Sequence, residues 1–394
     1  MRIVLVDTYY KRFLTKHYAD HPSLESERFE TQRKSLIDAR FGTSDFYSKH
    51  LNDLGCEAFD LIANCAPLQS AWLNENGFGS SSLTFAVPHR FYRLPIVGSV
   101  LAALPGFLEV AMAQIKSLKP DILYCHDLSF FPKSALNELK RHVRLIVGQI
   151  AYHLPPRSFL QGYDLILTSF PHFVPQIAAG GISSEYFRLG FDPRVVGLFE
   201  GVSRDIDVSF VGGLGRSHKD AVPLLERLSR ETPIRIFGYG AEDLPASSPI
   251  LRRYEKEVWG LEMYRVLARS KITVNRHIGI AQNYANNMRL YEATGMGALL
   301  LTDKKDNLKD LFEPGQEVET YSDPEEAVEK IDALLRHPER LAKIAAAGMA
   351  RTLREHTYRA RMKELLDILS RHLRAKNSGG ETTFSGAYPM TGRP

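Results

Sequence analysis

A chain of 394 residues, 44% apolar and 24% charged, has the composition of an ordinary globular protein and is longer than one hydrophobic core organises, so two domains are expected. Its 50 basic and 46 acidic residues leave a net charge of +4, and without a basic block or an aromatic-basic repeat this small excess gives no case for a nucleic-acid binder. Cys56, Cys65 and Cys125 form neither a metal spacing nor an even disulfide set, which fits a reducing compartment and reads as buried small apolar residues.

The chain opens on RIVLVD, a strand signal with no charged-then-apolar leader, so a cytoplasmic location is expected. Further strand signals fall at 58–63, 121–125, 144–151, 164–168 and, more weakly, 185–189. Helix signals fall between them at 44–54, 100–118, 132–141 and 172–179. That alternation predicts a parallel sheet with helices on both faces. Residues 9–41, polar and aromatic without a clear period, read as an irregular, substrate-facing insertion. The most apolar window, 96–112, is broken by Pro105-Gly106 and carries Glu109, so it reads as a core helix rather than a membrane span. With His89, Arg90, Tyr92 and Arg93 before it, the alternative is peripheral contact with the inner face of a membrane.

Residues 191–206 hold Asp192-Pro193 and two glycines without periodicity and read as a linker. A second alternation follows, with strands at 207–211, 234–237, 271–275, 298–302 and 317–321 and helices at 218–229, 262–269, 307–312 and through 369. The expected organisation is α/β: a domain over 1–190, the linker, a second domain over 207–356, a helix over 357–375 that returns to the first domain, and a disordered Gly/Ser/Thr/Pro-rich tail over 376–394. Two doubly wound domains leave a cleft facing the carboxyl ends of both sets of strands, where open α/β sheets bind ligands.

Three stretches near those strand ends carry chemistry. In VGGLGRSHKD, Gly212, Gly213 and Gly215 let backbone N–H groups approach an oxyanion, a helix start after Ser217 adds positive potential, and Arg216 and Lys219 add charge. This reads as a diphosphate cradle, against the plainer alternative of a glycine turn with solvated cations. It lacks the endings of a dinucleotide fingerprint or a P-loop. The stretch KITVNRHIGIAQNYANNMRLYEATGMGALLLTD reads as strand, loop, helix, strand, with Asn286 or Asn287 capping a helix that ends at Gly295 or Gly297. Arg289 then lies in or next to the first turn, where a cation opposes the helix dipole. Either a bound anion or Glu292, one turn along, compensates it, and spacing alone favours the local pair. In PDILYCHDLSFFP, His126 and Asp127 follow a strand end. His126 suits a general base or a hydrogen-bond donor, and Asp127 suits orienting it or accepting a hydroxyl proton. Asp7, closing the first strand, is a second candidate base.

Other patterns carry less. Asp205-Ile206-Asp207 imitates a metal motif but precedes a strand, at the wrong end of the sheet. His17 and His21 have helical spacing without a carboxylate partner and read as surface. No Gly-x-Ser-x-Gly elbow is present, and the aromatic residues at 85–92 read as packing or an acceptor wall.

Taken together, DVSFVGGLGRSHKD, GLEMYRVLARSKITVN, NNMRLYEATGMGALLLTD, LFEPGQEVETY and AAAGMARTLREHTYRARM resemble, in order and spacing, the C-terminal half of the CgeB-like (spore maturation protein type) glycosyltransferases, relatives of the group 1 glycosyltransferases. PDILYCHD, DLILTSFPHF and YFRLGFDP resemble their N-terminal domain more loosely. The resemblance implies a GT-B fold of two Rossmann-like domains. It implies transfer of a sugar from a nucleoside-diphosphate sugar to a glycan, lipid-linked or protein acceptor, with neither metal nor cofactor. The donor would lie on the C-terminal domain and the acceptor on the N-terminal one. It puts Gly213, Arg216 and Lys219 near the donor diphosphate and Glu292 at the ribose hydroxyls. It makes Asn275, Arg276 and Arg289 pocket-lining candidates, Tyr239 and Gly240 a base-side wall, and His126 a neighbour of the transferred sugar. One departure is Tyr284, at the position where many group 1 enzymes place a second, sugar-contacting glutamate. It leaves donor identity and stereochemical outcome open. A sugar-nucleotide epimerase or hydrolase of the same fold, and a non-catalytic nucleotide-sugar or glycan-binding protein, are the alternatives.

Overall fold

The computed structural model describes residues 1–77 and 106–377, with only the backbone described at 216–218. The first part of the apolar window, the aromatic residues at 85–92 and the tail from 378 lie outside the described residues. Among the described residues no helix is long and apolar enough to cross a membrane.

The chain divides into two compact units: Met1–Thr168, His172–Tyr186 and the residues from Met362 onward form one, and Ser169–Pro171 with Phe187–Arg361 form the other. In the first unit, β1 (Arg2–Asp7), β2 (Glu57–Ile62), β3 (Ile122–Cys125), β4 (Leu145–Ile150), β5 (Leu165–Thr168) and β6 (Ser183–Tyr186) make a parallel sheet in the order β2-β1-β3-β4-β5-β6. Every residue of β3 and β4 is buried, as the unbroken apolar runs ILYC and LIVGQI require of strands covered on both faces. Asp7 pairs in register with Ile62, and the His126 amide donates to the Val6 carbonyl at 2.9 Å. Asp7 and His126 therefore emerge side by side at the carboxyl end of the sheet.

Residues 9–41 are not irregular. They form the helices Lys11–Asp20 and Phe29–Asp38 with a 3-10 turn, Pro22–Ser26, between them. Phe13, Leu14 and His17 are buried from the first helix and Gln32, Leu36 and Ile37 from the second. This is a helical period that the polar residues around it conceal. His17 is accordingly a core residue and not a surface one: 8% exposed and bonded to the Ser35 hydroxyl at 2.9 Å, it has a pKa that burial lowers to about 4. In the last helix, Tyr358–Asn377, Arg371 and His372 both bond Glu185 of β6, at 2.6 and 2.7 Å. That helix runs to Asn377, past the expected boundary.

In the second unit β7 (Ile206–Val211), β8 (Ile234–Phe237), β9 (Tyr254–Lys256), β10 (Ser270–Asn275), β11 (Leu299–Asp303) and β12 (Glu319–Tyr321) are parallel in the order β12-β11-β10-β7-β8-β9. Val208, Ile236, Ile272, Val274, Leu299 and Leu301 pack with Leu225, Leu228 and Ile331 from flanking helices. Asp205 and Asp207 are held by Arg269 and Lys271 at the amino end of this sheet, as their place before a strand predicts. Residues 191–205 include a 3-10 segment, Pro193–Phe199, with Phe191, Val195 and Phe199 buried.

Candidate functional site

Four strands of the second unit end at one edge, and the loops beyond them carry most of the residues singled out from the sequence. The glycine loop after β7 is tied to the loop after β8: the Gly212 amide donates to the Phe237 carbonyl at 3.0 Å and the Leu214 amide to the Tyr239 carbonyl at 2.8 Å. Two glycines permit that approach. Gly240 has φ +89, and a Cβ there would lie 2.5 Å from the Gly215 nitrogen. Gly238 has φ +140, and a Cβ there would lie 1.8 Å from the Gly212 carbonyl oxygen. The helix does not begin after Ser217, as expected. A 3-10 turn, Arg216–Ala221, comes first, and the α-helix starts at Val222. Pro223 is the reason. A helix begun at His218 would carry it several residues inside, where its missing N–H breaks the ladder, whereas a start at Val222 puts it in the first turn. Lys219 is exposed on the 3-10 turn.

Tyr239 stacks on Trp259 with ring centroids 5.1 Å apart and planes 16° apart, a flat aromatic pair at the base of the helix Gly260–Arg269. The sequence reading found Tyr239 and missed Trp259, whose place before Gly260 gave no periodic signal.

The helix Met288–Gly295 is capped by Asn287, whose side-chain oxygen accepts from the Leu290 amide at 3.2 Å. The Asn287 amide donates to Asn275 and the Asn275 amide to Thr302, both at 2.9 Å, so Asn275 knits the ends of β10 and β11 to the cap. Arg289 donates to Glu292 at 2.7 Å and to the Val211 carbonyl at 3.2 Å, and the Tyr264 hydroxyl lies 3.4 Å from the other oxygen of Glu292. The local pair favoured by spacing is thus formed, and it joins the helix to the end of β7. Glu292 is 5% exposed; burial pushes its carboxyl up while the charge of Arg289 opposes.

Arg276 lies 3.7 Å from Asp303, which closes β11 and also faces Lys305 at 3.3 Å. The same carboxylate accepts from His277 Nδ1 at 2.6 Å. Burial pushes the Asp303 carboxyl up, but the hydrogen bond and charge of His277, aided by Lys305, reverse this and hold it well below the usual carboxylate range. Sequence reasoning missed His277 and Asp303. The aspartate at the end of the apolar run LLLTD was the available signal.

In the first unit a cavity at the carboxyl ends of β1, β2 and β3 is lined by Asp7, Tyr9, Thr43, Tyr47, Asp60 and His126, among others. His126 stands edge-on to Tyr47 at 4.9 Å, while the hydroxyls of Tyr47 and Tyr124 both donate to Gln149. Asp127 does not orient His126. Its two oxygens accept from the Thr8 hydroxyl and the Ser129 amide, both at 2.8 Å, because an aspartate after a strand end closes the turn on its own second neighbour. Burial lowers the pKa of His126, with Asp7 working against it. Asp60, which the sequence reading passed over, lies on β2 and accepts from the Ser48 hydroxyl.

Residues 216–367 match the glycosyl transferase-like family model. No curated protein matches the chain. Among solved structures, the chain is similar to HepE of Anabaena in complex with UDP-glucose, at 14% identity over 94% of this chain and 100% of that one, with a TM-score of 0.58. It is also similar to the sucrose-phosphate synthase of Thermosynechococcus elongatus, at 10% identity over 95% and 99% of the two chains, TM-score 0.56. A glycosyltransferase of Rickettsia africae follows at 13% identity over 94% and 98%, TM-score 0.50. The fold is therefore GT-B, as the resemblance implied, and the stretch similar to the glycosyl transferase-like family covers most of the second unit.

Proposed function

We propose that this chain is a glycosyltransferase of the CgeB-like kind, moving a sugar from a nucleoside-diphosphate donor to a hydroxyl of a glycan, lipid-linked or protein acceptor. The observation that carries this reading is that the glycosyl transferase-like match falls on the unit whose strand ends gather the glycine loop, the Tyr239–Trp259 pair and the buried Arg289–Glu292 pair. Solved relatives of the fold include HepE with UDP-glucose and HepE with UDP and glucose, which supports a nucleotide-sugar donor.

In this reading the Tyr239–Trp259 pair offers an aromatic face to the base, Glu292 accepts from the ribose hydroxyls, and the backbone of Gly212 to Gly215 meets the diphosphate. As the anomeric bond breaks, negative charge grows on the leaving diphosphate. Fixed cations and backbone amides stabilise such charge without reorganising. Arg289 and Arg276 are fixed by Glu292 and Asp303, and Arg216 and Lys219 follow the glycine loop, so the proposed chemistry is metal-independent. Asn275, whose side chain donates to Thr302 and accepts from Asn287, holds the floor of the site.

The test is release of nucleoside diphosphate from a panel of nucleotide sugars, with and without a chelator. The reading expects release from donors of one base type, undiminished by the chelator. Full loss of activity in the chelator would refute metal independence, and release from none of the panel, together with no binding of any nucleoside diphosphate, would refute the donor reading.

A further inference from the structure

The loop that leaves β10, residues 276–287, is held more firmly than a connection between a strand and a helix requires. Lys305 donates to the Gln282 carbonyl and the Asn307 side chain accepts from the Ala285 amide, both at 2.6 Å, and the Asp306 amide donates to the Asn283 carbonyl at 3.0 Å. Gln282 is kept at φ +51, a left-handed backbone that strains any residue with a side chain and persists only where its surroundings over-determine it. The loop borders the glycine loop at both ends. A Cβ added at Gly279 would lie 2.8 Å from a carboxylate oxygen of Asp220, on the 3-10 turn that follows the glycines, and the helix capped by Asn287 is tied by Arg289 to the Val211 carbonyl.

Two side chains of this pinned loop keep buried nitrogens without a hydrogen-bond partner among the described residues: Nε2 of His277, 3% exposed, and Nδ2 of Asn286, 8% exposed. An unbonded buried polar group is costly, so its place in a loop this ordered calls for a reason. The two nitrogens differ in sense. Nδ1 of His277 lies 2.6 Å from an Asp303 carboxylate that stays ionised despite its burial, so Nδ1 carries the hydrogen and Nε2 of the neutral ring accepts. The Asn286 nitrogen donates.

We propose that His277, oriented by Asp303, and Asn286 are specificity-determining residues that read one hydroxyl of the donor sugar, and that the donor sugar is accordingly neutral and hydroxylated rather than acidic. This rests on the donor reading, in which the diphosphate meets the glycine loop that this loop borders. A hydroxyl satisfies both nitrogens at once, since it donates to His277 Nε2 and accepts from Asn286. A carboxylate only accepts and leaves Nε2 facing a lone pair, while an ammonium only donates and leaves Asn286 unmatched. Asp220, beside Gly279, adds a negative charge that a sugar carboxylate would meet. Sites that hydrogen-bond a substrate hydroxyl discriminate more sharply than apolar pockets do, because a wrong substituent leaves their buried polar groups unpaired.

The experiment uses the full chain and isothermal titration with UDP, ADP and GDP, each free and carrying glucose, galactose, mannose or glucuronic acid. In the wild type a neutral sugar of one base type is expected to bind more tightly than its glucuronic acid counterpart. His277→Asn places an amide nitrogen where Nδ1 donates to Asp303 and deletes Nε2, and Asn286→Leu deletes the donor. Each is expected to weaken binding of that nucleotide sugar by about 5- to 30-fold while binding of the free diphosphate stays within about twofold. Preference for glucuronic acid, unchanged affinity for the nucleotide sugar in either variant, or equal losses for nucleotide sugar and free diphosphate would overturn the inference and leave the donor reading standing. Folded wild-type protein that binds none of the diphosphates, free or glycosylated, would overturn both.

Discussion

Glu292→Ala is expected to weaken nucleoside-diphosphate binding by about 10- to 100-fold, and to lower the melting temperature as well. The first effect follows from the role proposed for the carboxylate: hydrogen bonds to a charged acceptor are each worth about 1.5 to 3 kcal/mol, and 1.4 kcal/mol is tenfold in affinity. The second follows from the structure without a ligand. Glu292 is 5% exposed and is the carboxylate that compensates Arg289, so its removal leaves a half-buried guanidinium in the first turn of a helix, where the dipole disfavours it. Isothermal titration separates the two effects. A folded variant with unchanged affinity would remove Glu292 from the donor site and leave it a structural partner of Arg289. Glu292→Gln keeps the shape, removes the charge and should fall between the two.

Gly238→Ala should be the most damaging single-methyl change in the second unit. Its φ of +140 is outside the range L side chains readily adopt, and the added Cβ would sit 1.8 Å from the Gly212 carbonyl oxygen. Backbone strain of this kind costs about 1 to 3 kcal/mol, and the overlap forces the β7 and β8 loops apart, which adds to it. The variant should melt several degrees lower, at about 2 to 4 °C per kcal/mol for a unit of this size, and lose donor affinity because the glycine loop moves. Gly315→Ala, where φ is +80 and nothing lies within 4 Å of the added Cβ, is the matched control: it carries backbone strain without the overlap. Equal losses in the two would show that the contact between the loops is not what the donor needs.

Much of this fold was legible because parallel strands buried on both faces must be apolar runs. RIVLVD, ILYC, LIVGQI and LLLTD gave their places within a residue or two. What escaped was structure whose signal is mixed. The helices of residues 9–41 bury Phe13, His17, Gln32 and Ile37, a face with polar members, so their period was not seen. The start of the helix at Val222 was set by Pro223, a cue present in the sequence but outweighed by the glycines before it. In the candidate sites, residues on loops after strands were found, since that is where α/β sheets place ligands. The Arg289–Glu292 pair followed from spacing alone. Asp60 was missed because one aspartate within EAFDLI reads as the solvent face of a strand, and only the fold turns it toward the cavity. Pairings across distant segments, Trp259 on Tyr239 and His277 on Asp303, have no local signature.

The central claim is that the second unit holds a nucleoside-diphosphate sugar. The most direct measurement is thermal stabilisation of the purified protein by a panel of nucleoside diphosphates and nucleotide sugars, with and without a chelator, since a ligand that binds only the native state raises the melting temperature by mass action. The account predicts a rise with one base type that persists in the chelator and is abolished by Glu292→Ala. No rise with any member of the panel at concentrations well above the millimolar range of weak binders, with the protein folded, would contradict it.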